Sequence, residues 1–331
     1  MRYPAIEPYS TRRLAVTPPH VLYVEECGSP RGVPVVVLHG GPGSGCRSDQ
    51  RRLFDPGFYR VVLVDQRGSG RSEPRGCVLL NRTLDLVADL ERIRRELGID
   101  QWLLFGGSWG ATLALVYAQR HPAAVLGLVL RGVFLARPRD LQWFFGADGV
   151  ARVFPEDWHD MARMVPPEEH GDLVEAYHRR FMGPDQGQVQ ALAQAWSAWE
   201  DRVATWTLAG SAKEQSSGNG CGVGVPDACA RGDDLERRCA KARVATHFAR
   251  HGYFIAPNEI LERIPYLPAV PVSIVQGRRD LVCPMEGAWA LHRAIPFSRL
   301  VVVPAAGHLD SEPGIIDALV GETDRLRDSL I

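Results

Sequence analysis

"LLFGGSWGATLALVYAQRHP" (residues 103–122) sets one small polar side chain, Ser108, in a bed of glycines. An apolar run ending at Phe105 precedes it, and a helical pattern from Ala111 to Gln119 follows. A chain that passes from a buried strand into a helix within so few residues must turn where side chains do not fit, hence Gly106, Gly107 and Gly110. Gly106-Gly107-Ser108-Trp109-Gly110 fits G-x-S-x-G, the nucleophile elbow, which lifts a serine hydroxyl out of the chain at a helix N-terminus. There the backbone N–H of Trp109 can face a developing oxyanion. A glycine-flanked serine alone is an ordinary turn; the strand before it and the helix after it give the motif its meaning.

Outward from this point the same alternation recurs. Val33 to Leu38, Val61 to Asp65, Val125 to Leu130, Val272 to Gln276 and Leu300 to Val303 are short Val/Ile/Leu runs suited to strands buried on both faces. Helical patterns at Leu84 to Leu97, Ala111 to Gln119 and Glu286 to Ala294 lie between them. The pattern predicts an α/β fold: a mostly parallel central sheet with helices on both faces. Over residues 137–256 the strands stop and apolar residues, many of them tryptophans, recur at helical spacing, which predicts an inserted helical cap. The core then comprises 1–136 and 257–331. Within the cap, 210–234 is rich in Gly and Ser and reads as a mobile loop.

Composition narrows the function. The chain has 331 residues, 45% hydrophobic, and a net charge of −1, which argues against a nucleic-acid or membrane-surface protein. No stretch approaches the length of a membrane span, and "MRYPAIEPYSTRR" lacks the apolar core of a secretory signal. Seven cysteines, scattered and odd in number, suit free thiols in a cytoplasmic protein. Cys221, Cys229 and Cys239 lack metal-ligand spacing, so no metal and no cofactor is expected. Lys213 and Lys241 are the only lysines; the basic residues are nearly all arginine.

A serine nucleophile needs a base, and the base needs an orienting acid. "VSIVQGRRD" ends a strand and reaches Asp280; "LVVVPAAGH" ends the last strand and reaches His308. Either alone could be a helix-capping Asp or a surface His, but both fall at strand ends in the order Ser, Asp, His. "VVVLHGGPGSG" puts a glycine loop after the first buried strand, where Gly41 can offer a second oxyanion N–H. It lacks the G-x-x-x-x-G-K-[ST] of a phosphate loop. Cys46 follows that loop closely enough for a thiol reagent to block the site.

"HGGPG" (39–43), "DQRGSGRS" (65–72), "GGSWG" (106–110), "LVLRG" (128–132), "AWSAWE" (195–200), "QGRRD" (276–280) and "AGH" (306–308) together resemble the prolyl aminopeptidases (proline iminopeptidases), a family of α/β-hydrolases. The likeness runs from "YPAIEPY" to "EPGIIDAL", almost the whole chain. It implies an α/β-hydrolase fold with a helical cap, Ser108 as nucleophile, Asp280 as orienting acid, His308 as base, and Gly41 and Trp109 as the oxyanion donors. It implies a small peptide substrate, whose N-terminal ammonium the family holds with acidic residues of the cap. One lies in "WSxWE", here Glu200. A second lies in a stretch like "ARIENHYF"; aligned on Tyr253-Phe254, this chain has Arg250 where that acid is expected, with Tyr253 beside the substrate. A guanidinium there would repel an ammonium, so a retuned hydrolase or transacylase acting on an ester, amide or peptide-derived metabolite is the alternative. Trp143, Trp158, Trp196, Trp199 and Trp206 read as cap core or pocket lining. A serine at 108 excludes the aspartate nucleophile of epoxide hydrolases and dehalogenases.

Overall fold

A computed structural model describes residues 1–208 and 228–330. Among the described residues, eight strands form one sheet: β1 (Ser10–Ala15), β2 (Val21–Gly28), β3 (Val33–Leu38), β4 (Tyr59–Asp65), β5 (Trp102–Gly107), β6 (Val125–Arg131), β7 (Val272–Gly277) and β8 (Arg299–Val303). Their order is β1-β2-β4-β3-β5-β6-β7-β8. β1 and β2 pair antiparallel at one edge, and every pairing from β4 to β8 is parallel. Because β3 lies between β4 and β5, the chain reverses its direction of travel there, which opens a crevice at the carboxyl ends of the strands.

The period-2 alternation of β3 divides the core. Val35 and Val37 pack on one face with Val61, Leu63, Phe105 and Leu319; Val36 and Leu38 pack on the other with Val62, Leu104, Leu113 and Leu128. The covering helices are α1 (Thr83–Glu96), α2 (Trp109–Arg120), α8 (Met285–Ala294) and α9 (Pro313–Leu330). Among the described residues, α3 (Pro138–Phe145), α4 (Pro155–Ala162), α5 (Leu173–Phe181), α6 (Gln186–Thr205) and α7 (Ala228–Arg250) rise between β6 and β7, followed by a single helical turn at Glu259–Glu262.

The sheet has two strands that hydrophobic pattern alone does not reveal. β2 buries Glu25 and Glu26 among its apolar residues, and both are satisfied by arginines. Arg51 Nε and Arg71 Nη1 each lie 2.8 Å from Glu25, and Arg60 Nη2 lies 2.6 Å from Glu26. Paired charges in a buried strand break the apolar run a sequence reading looks for. β1, a mostly exposed edge carrying Arg12 and Arg13, has no such run either.

The tryptophans mostly hold the cap together and to the core. Trp158 and Trp199 donate to the carbonyls of Phe145 and Phe144, and Trp143 and Trp206 to those of Leu281 and Arg279. The Gly/Ser-rich stretch read as a loop over 210–234 ends in helix, since α7 begins at Ala228. Its earlier residues, Cys221 among them, lie outside the described residues.

Candidate active site

Ser108 closes β5 and opens α2 with φ 56° and ψ −123°, a conformation costly for a residue with a side chain. The glycines explain why the chain tolerates it. A Cβ at Gly106 would stand 2.3 Å from the Gly110 carbonyl oxygen, and one at Gly110 would stand 2.0 Å from that of Leu38. Strand and helix therefore cross backbone against backbone, and the turn left over projects the hydroxyl into the crevice. Trp109, the first helical residue, has an N–H without an intrahelical acceptor.

The HGGPG loop arrives from β3 on the same side. A Cβ at Gly40 would lie 3.4 Å from that of Ser108, and Gly41, at φ +112°, sits where only glycine is comfortable. Buried His39 braces this loop. Its Nδ1 contacts the Gly40 carbonyl at 2.9 Å, and its Nε2 accepts the Gln66 N–H at 3.0 Å. Gln66 returns its amide to the His39 carbonyl and accepts the Trp109 indole N–H at 2.8 Å. Burial lowers the proton affinity of His39, in keeping with a neutral ring used as a strut. The HGGPG loop and the elbow are thus tied by one hydrogen-bonded chain.

Asp280 and His308 meet beyond β7 and β8. His308 Nδ1 lies 2.8 Å from Asp280 Oδ2. Asp280 also accepts from Gln276 Nε2 at 3.1 Å and from the backbone N–H groups of Val282 and Cys283 at 3.0 and 2.8 Å. Four donors leave the carboxylate one orientation. Gly132 passes beneath the pair, where a Cβ would stand 3.1 Å from His308 Cε1.

Three residues of this site escape a motif reading. Arg131 ends β6; its carbonyl accepts the Ser108 N–H at 2.8 Å, its Nη1 donates to the His308 carbonyl, and the same nitrogen lies 3.4 Å from His308 Nε2. Glu312 accepts from the N–H groups on both sides of His308, Gly307 at 2.8 Å and Leu309 at 3.1 Å. The signal in each case was a charge at a fixed step from a catalytic motif, in "LVLRG" and in "GHLDSE". Cys283 is the third. Its Sγ lies 3.9 Å from Ser108 Oγ, whereas Cys46, the thiol singled out by sequence, turns away toward the Val64 carbonyl at 3.4 Å. Burial pushes both thiols well above the usual range.

The cavity is lined by Gly41, Ser108, Glu200, Tyr253 and His308, among others, with Trp196 the one tryptophan of the five in that lining. Glu200 Oε1 accepts the Trp196 indole N–H at 3.0 Å, and its Oε2 meets Lys241 Nζ at 2.7 Å. Tyr253 is buried, its ring 5.3 Å from that of Trp109. Arg250 is elsewhere, a correction to the sequence alignment. It pairs with Glu175 at the surface and does not line the cavity. Helical phase is the reason: nine residues separate it from Lys241, about 180° around α7, while Ala245 is one turn from Lys241 and faces the same space. The family stretch "ARIENHYF" also registers on "ARVATHF" (242–248), which puts Ala245 in the place of the acid. Among the described residues no group of three or more His, Cys, Asp or Glu could hold a metal ion, and no helix is long and apolar enough to cross a membrane.

A strained serine at a strand–helix elbow, an imidazole bound to a fixed carboxylate and a glycine loop beside them define, on this sheet, a serine hydrolase of the α/β-hydrolase class. Residues 33–314 match the α/β-hydrolase fold family. The chain is 44% identical to a proline iminopeptidase of Xanthomonas citri over 97% of its own length and 98% of the relative's. It is 42% identical to one of Arabidopsis thaliana, over 98% and 82%. In fold it is similar to a proline iminopeptidase-related protein of Thermus thermophilus (TM-score 0.61, 23% identity, 97% and 99% covered). It is likewise similar to an esterase of a Rhodococcus species (TM-score 0.62, 19% identity, 97% and 100% covered). The chain belongs to the proline iminopeptidase family of α/β-hydrolases.

Proposed function

We propose that this chain removes an N-terminal proline, or a similarly small residue, from short peptides through an acyl-enzyme on Ser108. The observation that carries the reading is the 41–44% identity to curated proline iminopeptidases of several bacteria over nearly the whole chain. The compact cavity, about 230 Å³ against the ~300–1,000 Å³ typical of drug-sized ligand sites, favours one small residue over a long acyl chain.

In this scheme the Ser108 hydroxyl attacks the carbonyl of the first residue and its proton passes to His308 Nε2, while Asp280 steadies the imidazolium. The oxyanion is taken by the N–H groups of Gly41 and Trp109. Collapse expels the shortened peptide, whose amine takes the proton back from His308. Water, deprotonated by His308, then releases the free residue and regenerates Ser108. Glu200 and Tyr253 shape the subsite for the substrate's amine and ring. Arg250, paired at the surface, has no part in it; the scattered cysteines and the apolar-poor N-terminus support a cytoplasmic enzyme acting on small peptides.

The test is turnover of a prolyl arylamide beside its N-acetyl twin and an aryl ester, with Ser108→Ala as the blank. Preference for the free prolyl arylamide, abolished in Ser108→Ala, is expected. Ester turnover with no prolyl arylamide cleavage would overturn the reading in favour of a retuned esterase.

A further inference from the structure

Among the described residues, four carboxylates reach the cavity that holds Ser108: Asp140, Glu200, Asp201 and Asp310. Three already have a cation of this chain upon them. Arg137 Nη2 lies 2.7 Å from Asp140, Arg47 Nη2 2.6 Å from Asp310, and Lys241 Nζ 2.7 Å from Glu200. The fourth, Asp201, has a side chain 68% exposed, with Arg238 at 4.0 Å. An entering ammonium therefore meets, among these, no buried carboxylate that lacks an intramolecular partner.

Of the three pairs, that of Glu200 falls on the acid that the aminopeptidase reading assigns to the substrate's amine. Lys241 is seated there by its backbone: a Cβ at Gly43 of the HGGPG loop would stand 2.9 Å from the Lys241 carbonyl oxygen, so helix and loop touch without a side chain between them. Trp196 occupies the other oxygen of Glu200. One turn on, Ala245 offers a methyl group, not a second acid. The Glu200 charge holds the Lys241 ammonium above its ordinary range in spite of burial, so the pair persists at neutral pH.

We propose that Lys241 is a specificity-determining residue of the amine subsite: its ammonium sits on Glu200 as an intramolecular competitor, and a substrate amine binds by sharing or displacing that pair. The inference rests on the aminopeptidase reading above. Sharing brings two like charges together, and displacement strands a half-buried ammonium; both weaken the free amine relative to an uncharged group of the same shape. The subsite consequently discriminates between a prolyl group and its carbocyclic analogue, a cyclopentanecarbonyl group, less sharply than an uncompensated acid does.

Two readouts test this, each taken as a ratio within one variant. In Lys241→Met, the prolyl to cyclopentanecarbonyl ratio of kcat/KM for the arylamides is expected to rise about tenfold over wild type, through KM of the prolyl substrate. Pyrrolidine, protonated at neutral pH, is the second probe; its inhibition constant against aryl-ester turnover is expected to fall by a similar factor relative to that of cyclopentanol. Lys241→Gln, which keeps a hydrogen bond to Glu200 without the charge, must shift both ratios the same way, and Lys241→Arg must leave them near wild type. Unchanged or reversed ratios in both Lys241→Met and Lys241→Gln overturn the proposal, as does an equal gain in Lys241→Arg. A wild type that cleaves the ester but neither arylamide overturns the aminopeptidase reading instead, and the pyrrolidine ratio still decides the role of Lys241.

Discussion

Arg131 holds Ser108 through its backbone and His308 through its side chain: its carbonyl accepts the Ser108 N–H while its guanidinium donates to the His308 carbonyl. The two residues that exchange a proton in the proposed scheme are therefore referred to one rigid strand end, buried under Gly107, where a Cβ would collide with Arg131 Nη2 at 2.4 Å. Truncation in Arg131→Ala frees the His308 loop and also removes a positive charge that acts on Asp310. A misplacement of catalytic groups by about 1 Å costs on the order of 100-fold, so kcat for an aryl ester is expected to fall by about that factor with KM changed less than about threefold. Steady-state kinetics well below the melting temperature of the variant decide it. A kcat within twofold of wild type (~0.4 kcal/mol) would falsify the positioning role.

The elements legible in the sequence are those in which one physical demand dominates. β3, β5 and β6 are buried on both faces and have uninterrupted apolar runs; the elbow has glycines because backbones cross at Gly110 and Leu38. β2 was illegible because Glu25 and Glu26 are compensated only by Arg51, Arg60 and Arg71, whose approach is a property of the folded sheet. Arg250 illustrates the other failure. A motif aligned by letters across a variable loop slipped against the helical period, and a slip of that size turns a residue from cavity to solvent. Lys241 and Cys283 left no trace, since nothing local marks a residue that acts through a contact across the fold.

The glycines give a graded prediction. Gly110→Ala sets a methyl group 2.0 Å from the Leu38 carbonyl oxygen, and neither backbone can retreat without shifting the sheet or α2. The expected cost is about 4 kcal/mol or more, a melting temperature lower by roughly 10 °C. Gly321 lies in α9 with nothing within 4 Å of a new Cβ, so Gly321→Ala is expected to stabilise by about 0.5–1 kcal/mol. Thermal unfolding of the pair checks both signs; a Gly110→Ala that melts with wild type would refute the close-crossing account.

His247 links stability to pH. Burial, reinforced by neighbouring His251, brings it down to about 4, while its Nε2 meets the Asn81 carbonyl at 3.1 Å and so ties α7 to the core. Between pH 6.5 and 4 the unfolded chain takes up a proton that the folded chain refuses, so this contribution is complete above 6.5 and is lost as the pH falls toward 4. Partial exposure of the ring limits it to about 1–2 kcal/mol. His247→Gln keeps a donor for Asn81 and removes the titration, so its melting temperature is expected to fall less steeply than that of wild type across this window. Parallel curves would assign the acid sensitivity to other groups.

Arg250 and Ala245 lie five residues apart on α7 and give opposite expectations. Arg250→Glu exchanges a surface ion pair with Glu175 for a like-charge contact, worth less than about 1 kcal/mol in solvent. Neither KM nor kcat for a prolyl arylamide is expected to change by more than about twofold (~0.4 kcal/mol), because the side chain does not reach the cavity. Ala245→Glu places a carboxylate one turn from Lys241, in the lining of the same cavity. There it can draw Lys241 off Glu200 or meet the substrate amine itself; both lower KM for the prolyl arylamide, by about tenfold for one charge-assisted hydrogen bond. The cyclopentanecarbonyl analogue, with no amine to bind, is expected to gain nothing. If instead the gain follows Arg250→Glu, the original register of the family motif is right and the face of α7 assigned to the cavity is wrong.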